Sequence, residues 1–133
     1  MKKFISLLLI LCVFLFGCIK QDLKEYTCKI HFIDTGNSDC ILIQSDKNVL
    51  IDAGDNAHQN DVVNYIKDLH IQTLDYVVNT HPDADHCGGM DKVVENFTIG
   101  QVFVGNGDSD TYTYRKFIQS LADASLYPSV PLE

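Results

Sequence analysis

Basic residues are scarce in this 133-residue chain: ten Lys and Arg stand against eighteen Asp and Glu, for a formal net charge of −8. A surface this acidic is poorly suited to holding a long polyanion by phosphate neutralisation. No apolar run reaches the about 20 residues of a comfortable membrane-spanning helix. The N-terminal run, Phe4 to Phe16, is shorter and is interrupted by Ser6 and Cys12. The five cysteines include no CxxC spacing, so nothing suggests a zinc knuckle. No internal repeat, low-complexity tract or second linker divides the body of the chain, which reads as one domain.

What the N-terminus does have is Lys2-Lys3 ahead of that apolar run, the charged start and hydrophobic stretch of a secretory signal. It ends in Leu15-Phe16-Gly17-Cys18, which resembles a bacterial lipoprotein signal, with a small residue before the cysteine that receives lipid. The expected organisation is a signal peptide over 1–17, a polar tether over 18–26 and a folded unit over 27–133. An uncleaved N-terminal anchor is the alternative, and it leads to nearly the same place. Both put the folded part outside the cytoplasm, attached to the bacterial cell membrane. The resemblance implies more than one acyl chain at Cys18, and two or more chains give stable anchoring. With Cys12 in the signal and Cys18 lipidated, Cys28, Cys40 and Cys87 form an odd set. Cys40 begins an apolar strand and reads as a buried small hydrophobe.

Residues 28–33 alternate, with Ile30 and Phe32 on one face and Lys29 and His31 on the other, as in a half-buried strand. Ile41-Leu42-Ile43 and Val49-Leu50-Ile51 are apolar runs joined by the polar turn Ser45-Asp46-Lys47-Asn48, a hairpin pattern. Asp61 to His70 follows helical spacing, with Val62, Ile66 and Leu69 on one stripe. A strand over 74–79, a short helix over 90–97 and a strand over 99–104 follow. Asn106-Gly107 opens a loop, and residues 111–122 form a helix with Tyr114, Phe117, Ile118 and Leu121 inward. The fold class is therefore α/β, a mixed sheet with about three helices.

The densest chemistry lies in Thr80-His81-Pro82-Asp83-Ala84-Asp85-His86-Cys87-Gly88-Gly89. Two imidazoles and two carboxylates crowd into six positions at the end of a strand. Such crowding is unfavourable without a cation, because like charges repel and each side chain needs its own partner. Imidazole nitrogens and carboxylate oxygens are ordinary ligands for Zn, Mn or Fe. Pro82 biases His81 towards an extended conformation, and Gly88-Gly89 permits a tight exit. The plainer alternative is a polar turn whose acids are solvated.

At these residues the chain resembles the metallo-β-lactamase superfamily, whose signature is His-x-His-x-Asp-His after a strand. Val49-Leu50-Ile51-Asp52-Ala53-Gly54 resembles that superfamily's first, aspartate-bearing motif. The segment from Ile30 to Ile43, with Asp34-Thr35-Gly36-Asn37-Ser38-Asp39 at its turn, resembles the ComEC-type competence branch. Asp83 stands where the commonest motif has its second histidine, and Asn37-Ser38 replaces the branch's usual Gln-Gly. The resemblance implies one metal site with His81 and Asp83 and another with Asp85 and His86. One or two divalent ions, Zn or Mn, are expected. Asp85 would orient the attacking water. Asp52 would be an outer acceptor that steadies the His81–His86 loop, or simply a strand-end cap before Ala53-Gly54. Asp34 and Asp39 read as turn formers. Cys87 is expected to pack beneath the loop rather than bind metal, and His31, His58 and His70 are expected to be structural.

Several strands are apolar on both faces, so both sheet faces need cover, and three helices can cover one. The resembled fold is an αββα sandwich. This sequence corresponds to its N-terminal half, with Pro128 to Glu133 reading as a linker onward. The further ligands of that family have no matching position here. Two functions follow. One is an extracytoplasmic metal-dependent hydrolase, ComEC-like, acting on phosphodiesters or nucleic acid, since metals can present a scissile phosphate even on an acidic surface. The other is a truncated, non-catalytic lipoprotein or binding module with a partial metal site. The uncovered sheet face is expected to meet the missing second half, a second copy or a partner protein.

Overall fold

The computed structural model describes residues 27–130. The signal, Cys18 and the tether up to Tyr26 lie outside the described residues, as do Pro131, Leu132 and Glu133. Five short strands form one sheet: β1 (Lys29–Phe32), β2 (Ile41–Gln44), β3 (Asn48–Ile51), β4 (Thr73–Asn79) and β5 (Thr98–Val104). Their spatial order is β1-β2-β3-β4-β5, with β1–β2 and β2–β3 antiparallel and β3–β4 and β4–β5 parallel. The helices are α1 (Gln59–Asp68), α2 (Ala84–Cys87), α3 (Met90–Asn96) and α4 (Tyr112–Asp123). The parallel strands require crossovers, and α1 and the α2–α3 segment supply them. This is the α/β class expected, a mixed sheet with three helices longer than one turn.

One face of the sheet builds the core. Register places His31, Leu42, Leu50, Val77 and Val102 in a row across all five strands. Val62, Val63 and Ile66 of α1, Met90 and Val93 of α3, and Phe117 and Leu121 of α4 are buried in the same cluster. Thr111 caps α4, its hydroxyl oxygen accepting from the Tyr114 N–H. Asp91 on α3 is buried and ion-paired at 2.5 Å with Lys116 on α4, a link between two helices.

The opposite face carries two further rows: Ile30, Ile43, Val49 and Tyr76, then Phe32, Ile41, Ile51, Val78 and Phe103. None belongs to the core cluster. Ile30 is 57% and Phe32 78% exposed. The alternation expected in β1 is present, and the half-buried side is that of His31, whose Nδ1 lies 3.0 Å from the Tyr65 hydroxyl. Each large side chain left in water forgoes roughly 1.5–3 kcal/mol of burial.

One sequence reading needs correction. Pro128 to Val130 is more than a linker. The Ser129 N–H donates to the Val102 carbonyl (2.8 Å), and its carbonyl accepts from the Val104 N–H (3.0 Å). Ser129 is thereby pinned, parallel, to the outer edge of β5.

Candidate metal centre

Strands β3, β4 and β5 end side by side, and the loops leaving their carboxyl ends meet. This is where α/β sheets place their ligands. Asp52 follows β3, Thr80 to His86 follows β4, and Gly105 to Ser109 follows β5.

Asp52 is buried, and its backbone sits at φ +54°, a left-handed conformation uncommon outside glycine. Its carboxylate is saturated by donors from the end of β4 and the loop after it. The Oδ1 atom accepts from the Thr80 N–H at 2.8 Å and from the Asn79 side-chain amide at 3.4 Å. The Oδ2 atom accepts from the Thr80 hydroxyl and faces His86 Nδ1 at 2.9 Å. A carboxylate can only accept here, so Nδ1 carries the proton and Nε2 is left with its lone pair free. The hydrogen bond to Asp52 raises the His86 pKa; burial opposes this, and the charges of Asp52, Asp85 and Asp39 add to it.

The loop itself forms one helical turn that the sequence did not announce. The Asp83 carbonyl accepts from the N–H groups of His86 (3.0 Å) and Cys87 (2.9 Å), and this closes α2. Backbone bonds then tie it to its neighbours: the Ala53 N–H donates to the His86 carbonyl, and the Asp39 N–H to the Asp85 carbonyl. Gly88 and Gly89 matter here for a reason other than turning. Both have negative φ, but a Cβ on Gly88 would collide with the backbone at Asp55–Asn56, and one on Gly89 with the Ala53 carbonyl. The glycines let two loops touch.

The four proposed ligands fall into two pairs. His81 Nδ1 lies 3.4 Å from Asp83 Oδ2, and His86 Nε2 lies 3.8 Å from Asp85 Oδ2. The two imidazole centroids are 5.5 Å apart. Among the described residues, no three His, Cys, Asp or Glu side chains gather tightly enough to hold an ion. The donor set fits a divalent ion in kind. In number each pair supplies two donors, where zinc takes three or four from protein.

The remaining candidates separate clearly. Cys87 is buried, its thiol donating to the Pro82 carbonyl at 3.2 Å, and burial pushes its pKa up to about 11. It packs beneath the loop. Cys40 is also buried, its pKa pushed up to about 12. His58 pairs with Asp55 at 2.7 Å. Asp34 forms its turn by accepting from the Gly36 N–H. Asp39 does more, its Oδ2 standing 3.8 Å from His86 Nδ1 at the rim of the centre. Thr80 stands at the head of the motif, but nothing in the sequence gives it a role beyond a polar pair, Asn79-Thr80, closing an apolar strand.

Comparisons with known proteins bear on the family and the fold. Residues 33–111 match the family model described as the metallo-beta-lactamase superfamily. A curated relative, the anaerobic nitric oxide reductase flavorubredoxin of Pectobacterium carotovorum subsp. carotovorum, is 29% identical over 73 residues, 54% of this chain and 14% of that protein. A solved metallo-beta-lactamase with a HARLDQ motif, from Cronobacter sakazakii, superposes with a TM-score of 0.51 at 24% identity. That match covers 58% of this chain and 30% of the other, and it speaks to fold alone. This chain thus spans a small part of the length of both.

Proposed function

This chain belongs to the metallo-beta-lactamase superfamily, and from that premise we propose that it is an extracytoplasmic, metal-dependent hydrolase of ComEC-like type, acting on phosphodiesters or nucleic acid. The observation that carries the reading is the Asp52–His86 contact, because a carboxylate holding Nδ1 aims Nε2 outward as a metal-ligating histidine requires. His81, Asp83, Asp85 and His86 are the proposed ligands, and Asp85 also orients the attacking water. A divalent ion bound there supplies Lewis acidity and lowers the pKa of water towards about 7. Asp83 makes the donor set harder than a histidine would, which favours Mn or Fe in competition with Zn. The reading includes lipid attachment at Cys18 to the bacterial cell membrane. Labelling with a fatty-acid analogue tests it, with label lost in Cys18→Ser; label retained there contradicts it.

The two-donor pairs favour a second reading, a non-catalytic lipoprotein or binding module with a partial metal site. Hydrolysis of bis(p-nitrophenyl) phosphate by metal-supplemented protein separates the two. Weak turnover that needs added metal and disappears in Asp85→Asn supports the hydrolase. An ion bound without any turnover supports the module.

A further inference from the structure

The β5–α4 loop and α4 enclose a cleft of about 340 Å³ that none of the proposed metal ligands lines. That volume lies within the range of about 300–1,000 Å³ typical of small-molecule sites. Its floor is one stripe of α4, where Tyr114, Ile118 and Ala122 recur every four residues and so share a single face. Tyr114 is buried and Ile118 packs against the core, so the floor is fixed from below. The loop is fixed to the same helix. The Thr111 N–H donates to Ser109 Oγ, the Ser109 hydroxyl donates to Thr111 Oγ1, and that oxygen accepts the Tyr114 N–H as the helix cap.

Two opposite charges line this cleft without meeting. Arg115, the one arginine in the sequence, comes from the helix, and Asp108 comes from the loop. Both are exposed, yet among the described residues neither forms an ion pair, with the other or with any third side chain. The acids on the other flank of Arg115 are already engaged: Asp91 with Lys116, Glu95 with Lys92 and Asp123 with the Gln119 amide. Asp108 Oδ1 accepts from the Ser109 N–H, which holds the carboxylate within the loop. Burial raises the Tyr114 pKa and the charge of Asp108 adds to it, so that charge is felt at the cleft floor.

A guanidinium takes a carboxylate, and a carboxylate takes an ammonium, by charge-assisted hydrogen bonds. A ligand with one charge satisfies one side of the cleft and leaves the other open. A ligand with both charges and an apolar body satisfies both sides and the floor. We infer that this cleft binds a small zwitterion with an apolar side chain, an α-amino acid of the leucine type. Arg115 takes its carboxylate, Asp108 its ammonium, and the Tyr114–Ile118–Ala122 stripe its side chain. The site is additional to the proposed hydrolase centre, and its occupancy depends on neither metal nor turnover.

An amide NMR titration of the full chain with leucine tests this, with EDTA present because amino acids chelate divalent ions. Leucine is expected to shift the amides of Ser109, Arg115, Ile118 and Gln119. N-acetyl-leucine lacks the ammonium and leucinamide lacks the carboxylate. Each should bind about fivefold more weakly than leucine, the worth of one part-exposed charge pair. The penalties should follow the residues. Asp108→Asn should lose the preference over N-acetyl-leucine and keep the preference over leucinamide, and Arg115→Gln should do the reverse. Both positions are exposed, so neither change disturbs the core. Leucine that leaves these amides unmoved, or shifts only residues 81–86, overturns the inference. So does equal binding of the three ligands to the wild type, or preferences that survive both substitutions.

Discussion

Asp52 and His86 lie 34 residues apart in the chain and 2.9 Å apart in the fold, joined through Oδ2 and Nδ1. One comes from the end of β3, the other from the helical turn after β4, so the contact forms only once the parallel pair is in register. The same carboxylate takes the Thr80 N–H and hydroxyl. A single buried acid thereby fixes both the ring orientation of one proposed ligand and the path of the loop that carries the others.

Replacing that acid should be felt twice. Asp52→Ala strands the Thr80 N–H and the His86 ring, and unsatisfied buried partners cost about 1–3 kcal/mol. Outer partners of metal-binding histidines are worth about 10–100-fold in metal affinity. Denaturant unfolding and metal titration of the same variant measure both. A variant as stable and as metal-avid as the wild type would show that Asp52 is only a strand-end cap.

The contact between the Gly88–Gly89 backbone and the loop after β3 allows a second prediction. Gly89→Ala drives a methyl group into the Ala53 carbonyl, and overpacking of this kind costs about 1–3 kcal/mol or more. Because φ at Gly89 is −95°, the loss would come from the collision and not from backbone strain. The companion change Ala53→Gly leaves the carbonyl in place and should not rescue it. Urea unfolding midpoints of the single and double variants decide the matter.

His58 and Asp55 give a pH prediction away from the proposed ligands. The hydrogen bond to Asp55 raises the His58 pKa above its ordinary 6.5, and the same bond lowers Asp55 below 3.8. The histidine's stabilising share is complete below 6.5 and is lost as pH rises through its higher folded value. The aspartate's share is present above 3.8 and is lost as pH falls through its lower folded value. An NMR titration should place His58 above an ordinary imidazole, and Asp55→Asn should bring it down. A His58 that titrates normally in the wild type would contradict the pairing.

Among the described residues nothing of the core packs over the second sheet face, and this predicts self-association or partner capture. Ile30, Phe32, Ile41, Ile43, Val49 and their neighbours form contiguous apolar surface of the kind that marks an interaction site. The protein is proposed to bury this face against a second similar half, a second copy or a partner protein. Sedimentation of the isolated chain should show dimers or larger species, and Phe32→Lys with Ile43→Lys should shift it towards monomer. A wild-type chain that stays monomeric at high concentration would argue that the face tolerates water.

The sequence made the loop legible because its chemistry is local. His81, Asp83, Asp85 and His86 fall within six positions, after a strand and before two glycines. Strand and helix periods were equally local, and the α/β order follows from them. What was hidden depends on distant residues. Thr80 acquires its role only when Asp52 arrives from β3. Alternation in β1 separates Ile30 and Phe32 from His31 but cannot say on which side the helices pack. The glycine pair suggested a turn, while its cause is the approach of the Ala53–Asn56 backbone. Ser129 could not be read as a strand partner from Pro-Ser-Val-Pro, because its pairing is set by the free edge of β5.

The central claim is that His81 to His86 holds a divalent ion, and metal analysis of purified protein tests it most directly. The wild type should retain a divalent ion, with Mn or Fe competing against Zn, and His81→Ala combined with His86→Ala should lose it. No divalent ion in the wild type, or the same content in the double variant, would contradict the account.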